Sequence, residues 1–139
     1  MNKRQLMIAL LSLTSGMALA QVQEVEHVSL INLIATPKAF DGKRIRVVGF
    51  VRIEFEGNAI YLHADDLRNG NTKNGLWLDL PRPLSRTTKV NDQYAIVEGV
   101  FSMEDQGHFG LWSGAITQIT RLDAWRPKPS AHTTPRRPK

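Results

Sequence analysis

RIRVVGFVRIEFEG, residues 44–57, decides the fold. Ile45, Val47, Val51, Ile53 and Phe55 fall on one phase of a two-residue period and Arg44, Arg46, Arg52 and Glu54 on the other, as in a long strand buried on one face. Gly49 sits at its centre on the apolar phase, where a missing side chain lets a strand coil or bulge. A first strand that coils at mid-length suits a small closed barrel better than a flat sheet.

Downstream, Glu56, Gly57 and Asn58 supply a turn, and AIYLH (59–63) follows with Ile60 and Leu62 inward, so the first two strands form a hairpin. LWLDL (76–80) is a third strand, with Leu76, Leu78 and Leu80 inward and Trp77 and Asp79 outward, and Pro81 and Pro83 then end pairing. QYAIVEGVFSME (93–104) is a fourth strand with Gly99 in its interior, and DQGHFG (105–110) makes a glycine-bounded turn around His108. In LWSGAITQITRLDAW (111–125), Ile116, Ile119 and Leu122 keep neither strand alternation nor a helical period, and the segment reads as an irregular fifth strand. Upstream, Ser29 is a good helix N-cap before the apolar face of Leu30, Ile31, Leu33 and Ile34, and Pro37 discourages continuation.

The class is therefore mainly β: a small five-stranded barrel with one short N-terminal helix, filling residues 21–125. The order and lengths of the strands resemble an OB-fold from Lys43 to Trp125. One departure stands out. The proline-bearing linker PRPLSRTTKVND (81–92) shows no helical period where that fold generally has a helix, and the helix from Ser29 to Ala35 is the candidate to close the barrel end instead. DGKRIRVVGFV, NAIYLHADD, NGLWLDL and YAIVEGVF together also resemble a group of small exported bacterial proteins of uncharacterised activity. That resemblance implies a shared fold and export; it implies no reaction, ligand or catalytic residue.

Export is also the reading of the first residues. MNKRQLMIALLSLTSGMALAQVQ places Lys3 and Arg4 before an apolar run from Leu6 to Leu13, with Ala18 and Ala20 around a cut, so residues 1–20 read as a signal peptide. The run is short of the roughly 20 apolar residues a bilayer crossing takes, and no transmembrane segment is expected. A periplasmic or secreted product follows. Without cysteine it has no disulfide, thiol nucleophile or thiolate metal site, so the fold must stand on its core.

Charge is unevenly spread. From Gln21 to Trp125 there are 11 Lys and Arg against 13 Asp and Glu, whereas residues 126–139 hold Arg126, Lys128, Arg136, Arg137 and Lys139, no acid, and four of the seven prolines. The last stretch reads as a disordered, basic, proline-rich tail able to contact anionic surfaces through screened attraction. The domain itself lacks the continuous basic track that nucleic acid needs, because Glu54 and Glu56 interrupt the arginines of the first strand, and no nucleic-acid partner is expected.

Chemistry concentrates in NAIYLHADDLRNGNTKNGLWLDL, residues 58–80. His63 follows the second strand, with Asp65 and Asp66 just beyond it; if the turn holding His108 comes near, these four can offer nitrogen and oxygen ligands to zinc or another divalent ion, with hydrolysis as an extension. His-x-Asp-Asp is not a specific metal pattern, and the plainer reading is local hydrogen bonding, capping and turn formation. Ser113 lacks the GxSxG context of a nucleophile, and adjacent carboxylates diverge on a loop, which makes a poor glycosidase pair. Aromatic residues give the alternative. Tyr61 and Trp77 lie on the outward phase, and Phe109 and Trp112 flank the last turn, where they can stack on sugars or a partner's side chains or else be covered as a second small core. The favoured reading is a non-enzymatic module without a cofactor that binds a protein or carbohydrate ligand through Tyr61, His63, Trp77, Phe109 and Trp112. The second is a metal site on His63, Asp65, Asp66 and His108.

Overall fold

The computed structural model describes residues 24–81 and 88–127. The expected signal peptide and most of the basic tail lie outside the described residues, as do positions 82–87 of the linker. The elements are β1 (Glu26–His27), α1 (Leu30–Ala35), β2 (Arg44–Arg52), β3 (Ala59–Tyr61), α2 (Ala64–Arg68), β4 (Gly75–Leu78), β5 (Gln93–Ser102) and β6 (Ala115–Ala124). Short 3-10 turns lie at Pro37–Ala39, Thr72–Asn74, Thr88–Val90 and His108–Gly110.

Strands β2 to β6 form a closed barrel. The order is β2-β3-β4-β6-β5, and β5 returns to pair with β2. All pairings in the ring are antiparallel except that of β4 with β6. This is the architecture of an OB-like barrel, with β1 added in parallel beside the start of β2.

β2 makes closure possible by using both edges. Arg44 to Val51 pair with Val100 to Gln93 on one side, while Phe50 to Arg52 pair with Tyr61 to Ala59 on the other. Gly49 pairs with Ala95 in unbroken register and lies at the point of closest approach. A Cβ there would stand 2.6 Å from Ile60 Cγ1 and 2.7 Å from both Leu30 Cδ1 and the Tyr61 carbonyl oxygen. No side chain fits where these strands and α1 converge.

Inside, Ile45, Val47, Val51, Ile60, Leu76, Leu78, Val97, Phe101 and Ile116 are buried in one cluster. Removing each such large side chain from water stabilises the fold by about 1.5–3 kcal/mol before the entropy of ordering it is counted. α1 closes one part of this core. Its N-cap is Ser29, whose Oγ accepts from the Asn32 N–H at 3.2 Å, and Leu30 and Leu33 are buried against the barrel. Six residues are too few for a helix to persist alone, so packing holds it.

One sequence expectation is corrected, and the irregularity expected in the fifth strand is located. The first strand ends at Arg52, and Phe55, assigned inward by alternation, is 90% exposed in the turn that follows. The fifth strand has an identifiable irregularity: Leu122 and Arg121 pair with Val97 and Glu98, then the register jumps so that Thr117 pairs with Val100. Gln118, inside this bulge, has a φ of 45°. The bulge changes the strand's phase, which is why Ile116, Ile119 and Leu122 all face inward despite their three-residue spacing.

On the outer face of β5, Glu98 lies between Arg46 and Arg121. Burial alone would raise its pKa, but hydrogen bonds from the two guanidiniums outweigh that and hold the carboxyl below its ordinary range. Among the described residues no helix is long and apolar enough to cross a membrane.

Candidate functional site

Two loops far apart in sequence meet beside β3 and β4. Residues 53–58 join β2 to β3 and residues 103–114 join β5 to β6, and His108 Nε2 lies 3.4 Å from Glu56 Oε2 between them. Each loop carries an exposed phenylalanine: Phe55 at 90% and Phe109 at 85%. Glu56 and Phe109 both adopt a φ of 56°, a left-handed conformation that costs a residue with a Cβ about 1–2 kcal/mol. Such strain persists only where surrounding contacts impose it.

For Phe109 those contacts come from beneath. Trp112 N–H donates to the Gln106 carbonyl and Gly110 N–H to that of Gly107, which closes the second loop on itself. Lys73 Nζ donates to the Gly110 and Trp112 carbonyls at 3.1 and 3.0 Å, and Thr72 Oγ1 donates to the Leu111 carbonyl at 2.9 Å. Gly107, at φ 66°, lies so close to Trp77 that a Cβ would be 2.6 Å from the indole. The loop is therefore pressed onto β4 and tied to the Thr72–Asn74 turn.

The aromatic residues singled out in the sequence divide into support and surface. Tyr61 and Trp112 are 3% and 4% exposed and form a second small core with Ala59, joined by Leu67 and half-buried Trp77. Trp112 Nε1 donates to Tyr61 Oη at 3.2 Å, and the Trp77 and Trp112 rings lie 5.0 Å apart at a tilt of 55°. In the closed barrel Tyr61 and Trp112 present almost no surface to solvent. Both faces of β3 are covered, so its outward phase is interior too. Burial raises the Tyr61 pKa, opposed by the bond from Trp112. Phe109 alone of the four aromatic candidates is fully exposed, and the structure places Phe55 on the neighbouring loop.

The four candidate metal ligands do not converge. His63 precedes α2, its Nδ1 lies 3.2 Å from Tyr94 Oη, and its backbone N–H donates to Asp66 Oδ2. Asp66 Oδ1 accepts from Asn71 and Asn74, whereas Asp65 turns away to Arg68 at 2.6 Å. His108 faces Glu56 on the other loop. Among the described residues no group of three or more His, Asp or Glu side chains is arranged to hold a metal ion. The second short helix, Ala64–Arg68, explains much of this, since adjacent carboxylates in a helical turn project about 100° apart. Ser113 Oγ donates to the Lys73 carbonyl, so that hydroxyl serves the loop scaffold.

The signal for this site was partly present in the sequence. Phe109 in its glycine-bounded turn marks one exposed aromatic, but Phe55 follows the inward phase of its strand pattern, and the meeting of the two loops depends on barrel closure, which alternation along single strands does not encode. Compared with known proteins, the chain matches no family model, no curated protein and no solved structure.

Proposed function

We propose that this chain is an exported, non-enzymatic binding module of the cell envelope, and that it holds a protein or carbohydrate ligand through the two-loop surface bearing Phe55 and Phe109. One observation carries this reading: two almost fully exposed phenylalanines sit on adjacent loops joined by Glu56 and His108, the loop of Phe109 being pressed onto Trp77 of a buried aromatic base. Exposed aromatic rings cost solvation and contribute binding area when covered, and a preformed surface loses little entropy on association. Export rests on the basic and apolar leader in residues 1–20. In OB-like barrels the face of the second and third strands with its flanking loops is the usual ligand platform, and the surface proposed here occupies that place.

Glycan and peptide arrays probed with the full chain and with Phe55→Ala and Phe109→Ala variants test the proposal. A ligand bound by the parent and weakened at least about tenfold by either substitution, with the circular dichroism spectrum unchanged, supports it. Ligands retained equally by both variants would place the binding surface elsewhere.

A further inference from the structure

The same two loops carry a charge pattern that narrows the ligand class. Residues 53–58 and 103–114 contain Glu54, Glu56, Glu104 and Asp105 and not one lysine or arginine. Phe55, Glu56, Glu104, Asp105 and Phe109 are all exposed. Glu56 is paired with an imidazole, which offsets its charge only when protonated. Glu54 is bridged to Arg52, while Asp105 Oδ1 accepts from the Gly107 N–H and keeps a second oxygen for a partner. The outcome is a pair of exposed apolar rings on loops whose own charged side chains are all carboxylates, with the Lys73 ammonium engaged by the Gly110 and Trp112 carbonyls.

Resting on the reading of this surface as the contact site, we infer that its ligand is a cationic polypeptide segment that presents an aromatic or aliphatic side chain flanked by lysine or arginine. Three physical arguments agree. Ammonium and guanidinium groups are attracted both to the carboxylates and to the faces of Phe55 and Phe109. An anionic membrane is repelled by the same carboxylates, although exposed phenylalanines alone would suit a bilayer surface. A neutral sugar gains nothing from a concentration of negative charge that steers cations at long range.

The test uses the full chain and fluorescence anisotropy with a labelled Lys-Phe-Lys-Phe-Lys peptide, its Glu-Phe-Glu-Phe-Glu counterpart, chitotriose as unlabelled competitor, and phosphatidylglycerol vesicles. Expected is binding of the cationic peptide alone, weakened about threefold or more between roughly 50 and 200 mM salt. Glu56→Gln, which keeps an acceptor near His108, and Glu104→Gln should each weaken it about threefold, and Phe109→Ala more. Two results separate this inference from the reading beneath it. Chitotriose, vesicles or the anionic peptide binding in a Phe109-dependent way would overturn the cationic ligand and leave the surface standing. No binding by any probe, or cationic-peptide binding indifferent to Phe55→Ala and Phe109→Ala, would overturn the inference, and the latter would overturn the surface with it.

Discussion

Replacing Tyr61 with phenylalanine removes one oxygen atom from beneath the two loops and tests whether their aromatic base is sealed from water. Tyr61 and Trp112 are 3% and 4% exposed, and the indole Nε1–H of Trp112 donates to Tyr61 Oη at 3.2 Å. An indole N–H is a donor with no alternative role, so the variant leaves it buried and unpartnered. Stranding a buried donor costs about 1–3 kcal/mol, and the near-complete burial of both rings places the expected loss at about 2 kcal/mol. In a domain of about 100 residues that lowers the melting temperature by roughly 10 °C. Urea unfolding followed by far-ultraviolet circular dichroism measures it as a lower midpoint at unchanged slope. In a Trp112→Phe background, where the donor is absent, Tyr61→Phe should cost much less, and the difference is the coupling. Alkali provides a second readout. Burial raises the Tyr61 pKa above its ordinary value of 10.0, so as pH rises past about 10 the unfolded chain loses a proton that the folded chain keeps. Stability therefore falls with rising pH in that window, and the fall should shrink in Tyr61→Phe. A change below about 0.5 kcal/mol, with the alkaline limb unaltered, would refute a sealed base.

Other substitutions probe separate links. Gly49→Ala should destabilise by about 2–3 kcal/mol, or prevent folding, because its methyl meets Ile60, Leu30 and a backbone oxygen within 2.7 Å; an unchanged urea midpoint would mean that the strands and α1 do not converge so closely there. Gly107→Ala combines a left-handed residue with a 2.6 Å approach to Trp77, so it should lift the 103–114 loop and alter the near-ultraviolet circular dichroism of the tryptophans, with about 2 kcal/mol lost. The pKa of Glu98 is lower folded than unfolded, so its contribution is present above about pH 4.5 and is lost as pH falls. Glu98→Gln should accordingly flatten the acid limb of the stability profile, and an acid limb identical to the parent's would show that Arg46 and Arg121 do not act on this carboxyl.

Local rules made much of the fold legible. Ser29 before Leu30-Ile31-Asn32-Leu33 marks the helix, the alternation from Arg44 to Arg52 marks its strand, and Gly49 marks a point of close approach. The strand continues in the sequence pattern to Phe55, but a pattern of alternation cannot register that Glu56 turns left-handed and carries Phe55 into solvent. In β6 the spacing of Ile116, Ile119 and Leu122 looked aperiodic because the bulge at Gln118 resets the phase, a non-local effect of pairing with β5. The site was harder to read. Tyr61 and Trp77 are on the outward phase, but whether outward means solvent or a second core depends on α2 and the 103–114 loop, which lie elsewhere in the chain. His63 and His108 face partners chosen by the barrel, Tyr94 and Glu56, and no spacing rule connects either pair.

The seam between β2 and β5 has a kinetic consequence. Arg44 faces Val100 across it, and Trp77 on β4 faces Ala115 on β6, so ring closure brings together segments widely separated along the chain. Contacts of that kind are slow to form, typically on a millisecond-to-second scale for small all-β domains. The loops of Glu56 and His108 become neighbours only when the ring is complete, so a partly folded chain lacks the proposed combining surface. If the proposed surface holds a ligand, occupancy would work as a latch on the finished barrel: at a hundredfold excess over its dissociation constant it would add about 2.7 kcal/mol to the unfolding free energy. Hydrogen exchange along the β2–β5 seam would then slow on saturation, although the proposed surface lies on the loops beyond it.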